Sequence, residues 1–103
     1  MKLEKLEKFI KDELVKAGFT KSKYGEYQYK DINIYDISLD YWMNGSGGYI
    51  SVHYCDSECV DDMTYWTAFK PDMKTKEIRK RLSFIKDNQG NLHKAGWCVV
   101  SCD

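Results

Sequence analysis

The sequence predicts an α+β fold, one domain over residues 1–103 with an N-terminal amphipathic helix on a mainly antiparallel sheet of four to five strands. Three observations carry that expectation. The first stretch repeats its apolar residues every three to four positions, the middle repeats them every second position, and clusters of Gly, Asn, Asp and Pro separate the alternating runs.

The helix comes first. Leu3, Leu6, Ile10, Leu14 and Ala17 fall within about 40° of one line at about 100° per residue, the stripe of a surface helix. Gly18 follows as a C′ glycine, and Phe19 is placed to close onto Leu14 in the contact of a Schellman ending. Lys2, Lys5, Lys8 and Lys11 interleave with Glu4, Glu7, Asp12 and Glu13 on the remaining surface, as on a solvated face.

From Tyr24 the period becomes two. Tyr27 and Tyr29 alternate with polar residues, and then Tyr35, Ile37, Leu39 and Tyr41 alternate with Asp36, Ser38 and Asp40. Tyr35, Ile37, Leu39 and Tyr41 are expected to point inward. The phase slips at Ile32 and Ile34, which places a turn or bulge near Lys30-Asp31. Asn44-Gly45-Ser46-Gly47-Gly48 supplies a hairpin connection, after which Ile50, Val52 and Tyr54 share one face of the next strand. Met63, Tyr65, Thr67 and Phe69 mark a further strand that ends before Pro71. Residues 72–87 fit a helix through Ile78, Leu82 and Ile85, yet Leu82 to Lys86 followed by Asp87-Asn88-Gln89-Gly90 also reads as one arm of a hairpin. Phe84 is the misfit in the helix, projecting about 120° from Ile78. Trp97 to Val100 is a strand in either version.

Composition bounds the function classes. A chain of 103 residues with 43% hydrophobic and 31% charged residues fits a globular protein, and neither a disordered nor a coiled-coil composition. No stretch approaches the roughly 18 apolar residues of a membrane span, and the charged start, Met1-Lys2-Leu3-Glu4-Lys5, has no apolar h-region, so the expected location is cytoplasmic and the cysteines are expected reduced.

The zero net charge conceals a segregation. Residues 1–30 hold eight Lys and five acids, residues 31–62 hold seven acids and no Lys or Arg, and residues 63–103 hold eight bases and four acids. The blocks therefore carry +3, −7 and +4. Two opposite faces would accommodate them.

Chemistry-bearing patterns are few. Cys55-x-x-x-Cys59 and Cys98-x-x-x-Cys102, with His53 and His93 near, have zinc-like spacing, and a zinc-stabilised domain is one alternative. Geometry opposes it. Residues four apart on a strand stand about 13 Å apart, whereas thiolates on one zinc lie within roughly 4 Å, so Cys98 and Cys102 would need a turn between them. His53 and Cys55 share one side of a strand, but with Cβ atoms about 7 Å apart they are loose for a catalytic pair. No calcium-loop order and no phosphate-loop sequence is present, and no cofactor is expected. A helix over 72–87 would set Lys76 and Lys80 opposite its apolar side with Arg79 on the flank, so the basic segment 74–86 offers a nucleic-acid-binding alternative.

The functional expectation rests on the acidic block. Its carboxylates are interspersed with Tyr and Trp, residues that bring large contact area at low entropic cost to interfaces, while acids steer a surface toward a basic partner. The sequence thus points to a non-enzymatic protein-interaction domain, of the kind of small inhibitors encoded by phages and other mobile elements, that binds a basic, nucleic-acid-binding protein. Its binding surface would centre on Trp42, Tyr49, Asp56, Glu58, Asp61 and Asp62. An exposed sheet edge would also serve a symmetric dimer.

Overall fold

The structure, a computed structural model, describes residues 1–55, 63–87 and 96–101. Its elements run α1 (Leu3–Lys16), β1 (Thr20–Lys21), β2 (Tyr27–Tyr29), β3 (Ile32–Tyr41), β4 (Gly48–Cys55), β5 (Met63–Phe69), α2 (Thr75–Asp87) and β6 (Cys98–Ser101). Every strand pairs antiparallel with the next, in the order β1-β2-β3-β4-β5-β6. The expected α+β class holds, with six strands among the described residues where four to five were expected. The additional one is β1, two residues long and too short to show a period.

Helix α1 ends as its sequence dictates. Gly18 adopts a positive φ of 100°, the Phe19 N–H donates to the Leu14 carbonyl at 3.0 Å, and the Gly18 N–H donates to the Val15 carbonyl at 3.0 Å, which together make a full Schellman ending. Leu6, Ile10 and Leu14 are fully buried against the sheet. Lys86, at the end of α2, donates to the Ala17 carbonyl at 2.6 Å and lies over the Tyr29 ring, fastening the two helices at the point where α1 stops.

Residues 72–87 resolve in favour of the helix, which begins at Thr75. The residues before it form turns closed by Met73 N–H to the Lys70 carbonyl and Glu77 N–H to the Lys74 carbonyl. Phe84 is buried beside Leu82 and Ile85, so the apolar side of α2 is wide enough to include it and the hairpin alternative falls.

The parity change in β3 occurs later than the sequence suggested. Ile34 pairs with Tyr54 but Asp36 pairs with His53, so Tyr35 is the extra residue of a bulge. One inserted residue lets Ile32 and Ile34 face the helices on one phase and Ile37 and Leu39 on the other. This corrects the expectation that Tyr35 points inward, since the bulge displaces it and leaves it 38% exposed; Tyr41, at the strand's end opposite Gly48, keeps the inward phase of Ile37 and Leu39 but is 64% exposed.

One hydrophobic core lies between the helices and the inner side of the sheet, formed by α1 and α2 residues with Ile32, Ile34, Ile50, Val52, Tyr54, Tyr65, Phe69 and Trp97. Arg81 ties its far end together. The guanidinium bonds to Glu77, to Thr67 Oγ1 at 2.9 Å and to the Ala68 carbonyl at 3.2 Å, and the Arg81 carbonyl accepts the Trp97 indole N–H at 3.0 Å. Gly96 has a φ of 84°, and a Cβ there would lie 2.6 Å from Arg81 Cζ. Gly96→Ala is therefore expected to cost about 2 kcal/mol, strain plus disturbed Arg81 hydrogen bonds. Gly45→Ala, at a φ of 76° with nothing near, should cost only the strain. Urea midpoints of the two variants check the difference.

Candidate functional site: the open face of the sheet

With both helices packed on one side, alternation sends the other half of the strand residues to a face that neither helix covers. Register then decides which of these meet. The β3–β4 hairpin pairs Asp40 with Tyr49, Ser38 with Ser51 and Asp36 with His53, and β5 sets Ala68 beside Ser51 and Trp66 beside His53. Cys98 of β6 lies opposite Trp66. The small residues Ser51, Thr64 and Ala68 are buried between larger neighbours, while the rings stand above them.

Those rings form a continuous row. Trp42 and Tyr49 stack at 4.1 Å, Tyr49 meets the Trp66 edge at 6.3 Å, Trp66 lies 6.3 Å from His53, and His53 lies 5.8 Å from Tyr35. Hydrogen bonds hold the row in place. The Trp66 indole N–H donates to Ser51 Oγ at 2.7 Å, and His53 Nδ1 lies 3.0 Å from Asp36 Oδ2, which also accepts from Ser38 Oγ at 3.3 Å. The hairpin tip is equally fixed, by Trp42 N–H to the Gly47 carbonyl, Gly45 N–H to the Trp42 carbonyl and Ser46 N–H to Asn44 Oδ1.

At that tip two shallow cavities flank Trp42. One, of about 450 Å³, is lined by Tyr41, Trp42, Met43, Asn44 and Tyr49. The other, of about 350 Å³, has Lys70 and Asp72 in its wall, and Lys70 Nζ sits 5.9 Å from the Trp42 ring. Met43 is wholly exposed, so Tyr41, Trp42 and Met43 put three consecutive large apolar residues at the surface of a rigid turn. Exposed apolar clusters of this kind are where interaction surfaces are sought.

The Tyr49 phenol is held above its ordinary pKa of 10.0, first because partial burial withholds water from the phenolate, then because the Asp40 carboxylate repels that charge and accepts the phenol's hydrogen bond. A raised folded value means that this group's contribution to stability is intact below the unfolded pKa and is lost as the pH rises above it. Asp40→Asn should bring the titration partly back toward the ordinary value, leaving only the burial effect. Difference absorbance against Tyr49→Phe measures it.

Of the residues named from sequence, Trp42 and Tyr49 are brought together on this face. Asp56, Glu58, Asp61 and Asp62 lie outside the described residues, as do Cys59, Cys102 and His93. Cys55 is half-buried and Cys98 exposed, on β4 and β6 with β5 between them, and among the described residues no group of three His, Cys, Asp or Glu side chains gathers as metal ligands would. Lys76, Arg79 and Lys80 are all exposed on α2, and Arg79 also places its guanidinium 3.1 Å from Glu13 Oε1 and against the Phe9 ring. The Asp36–His53 pair and the Trp66–Ser51 bond were not anticipated. Counting back from the hairpin, position sums of 89 from Tyr41–Gly48 to Asp36–His53 would have found the first.

Comparison with known proteins returned no matching family model, no similar curated protein and no similar solved structure. Among the described residues no helix is long and apolar enough to cross a membrane.

Proposed function

We propose that this is a protein-interaction domain that captures a basic partner on its open sheet face, in the manner of a small inhibitor of a nucleic-acid-binding protein. The observation that carries the proposal is the ordered aromatic row from Tyr35 to Trp42, fixed by its own hydrogen bonds and edged by the carboxylates of Asp36 and Asp40. Pre-ordered Tyr and Trp side chains bring contact area at little entropic cost, and the acids select a partner by its charge. Catalysis has less support. The Asp36–His53 pair orients an imidazole, while the two cavities described above, at the hairpin tip beside Trp42, do not have it in their lining.

The alternative, nucleic-acid binding by α2, draws support from the exposure of Lys76 and Lys80, while Arg79 is committed to Glu13. Capture from lysate at moderate salt separates the two. A basic protein retained in stoichiometric amount after nuclease treatment is the result expected; retention that vanishes with nuclease, and falls steeply with salt, would transfer the function to α2.

A further inference from the structure

We infer that the cavity between Tyr41, Trp42, Met43, Asn44 and Tyr49 is a subsite for an arginine side chain of the partner, whose guanidinium lies against the Trp42–Tyr49 pair while Asp40 supplies the counter-charge. The assignment rests on the open face being the partner-binding surface, and names what that surface recognises.

Three features of the hairpin lead to it. First, the cavity wall is aromatic and rigid: the two rings stack at 4.1 Å with their planes 31° apart, and the turn beneath them is closed by its own hydrogen bonds. A shallow cavity walled by such rings suits a planar, weakly hydrated guanidinium better than a compact, strongly hydrated ammonium. Second, a carboxylate without a resident cation borders the cavity, whose own lining holds no charged residue. Asp40 stands directly across the strand pair from Tyr49 and accepts the Tyr41 N–H at 2.8 Å, and among the described residues no cation pairs with it. The chain has no Lys or Arg anywhere from residue 31 to residue 62. Third, the fold itself places a cation near Trp42 on the neighbouring cavity, where Lys70 Nζ is 5.9 Å from the ring centroid. The cavity on the Tyr49 side has no basic residue in its lining.

The test is an NMR titration of the full chain with the peptide acetyl-Gly-Arg-Gly-amide, run beside its citrulline counterpart, which has the same shape without the charge, and its lysine counterpart. The arginine peptide should shift the Trp42 indole and Tyr49 signals, and its own δ-methylene protons should move upfield over the rings. Citrulline should bind about fivefold more weakly, the loss expected for a cation–π contact near a carboxylate. Asp40→Asn, which keeps size and strand pairing, should weaken arginine binding without moving the Trp42–Tyr49 signals of the free protein far. Equal shifts with citrulline or lysine, shifts centred on another part of the surface, or no shift up to the solubility of the peptide would each overturn the arginine assignment. A partner footprint on the open face combined with any of these would remove only this subsite; a footprint elsewhere would remove the proposed function itself.

Discussion

Trp97→Ala should unfold this protein or come close to it. The indole is 1% exposed, meets Tyr54 edge-on at 4.9 Å and Phe69 at 6.3 Å, and donates its N–H to the Arg81 carbonyl at 3.0 Å. Truncating a buried Trp costs about 3–5 kcal/mol, against a total of roughly 5–15 kcal/mol for a small domain. For a chain of this size that corresponds to a fall in melting temperature of roughly 15–30 °C. Trp97→Phe keeps an aromatic ring against Tyr54 and loses the hydrogen bond and part of the packing, so its loss should be clearly smaller. Thermal melts of the two variants by circular dichroism check the order; equal, small losses would show that the Trp97 contacts with α2 and β5 contribute little.

The second large effect is on binding and leaves the fold alone. Replacing Asp36 and Asp40 together by Lys reverses the charge of the open face at two partly or fully exposed positions, and should reduce partner capture by at least about tenfold, mainly through slower association. Trp42→Ala, which removes the central ring at the hairpin tip, should cost about 2 kcal/mol of affinity, roughly thirtyfold. Neither change touches the core. The Asp36 bonds to His53 and Ser38 sit at the surface, where such a pair is worth about 0–1 kcal/mol, so melting temperatures should stay within a few degrees of the parent. Capture that survives both changes would show that this face is not the binding surface.

Much of this architecture is written in local pattern. The α1 stripe, its Gly18-Phe19 ending and the alternation in β4 and β5 need only neighbours within one turn or one pleat, and each appears in the structure as the sequence indicates. What local pattern hides is the effect of pairing. The bulge at Tyr35 shows in sequence only as a change of phase, and the same change is satisfied by a break at Lys30-Asp31 until β4 fixes the register. Tyr41 keeps the inward phase but sits at the end of β3, beside Leu3 at the start of α1, where it is 64% exposed, and no periodicity records that.

The site followed the same division. Trp42 and Tyr49 could be named from sequence because they flank a legible hairpin, while Asp36 and His53, 17 residues apart, become partners only through its register. Arg79 illustrates the converse. Its place on the flank of α2 was legible, but its bond to Glu13, 66 residues away, depends on how the two helices pack.

The most direct test of the open face as the binding surface is hydroxyl-radical footprinting of the protein alone and with its captured partner, since the face is rich in the aromatic and sulfur side chains that radicals oxidise. Bound partner should protect Trp42, Met43, Tyr49 and Trp66 and leave Tyr24 and Phe9, away from that face, oxidised as before. Protection centred on α1 or α2, with Trp42 and Tyr49 unchanged, would contradict the account.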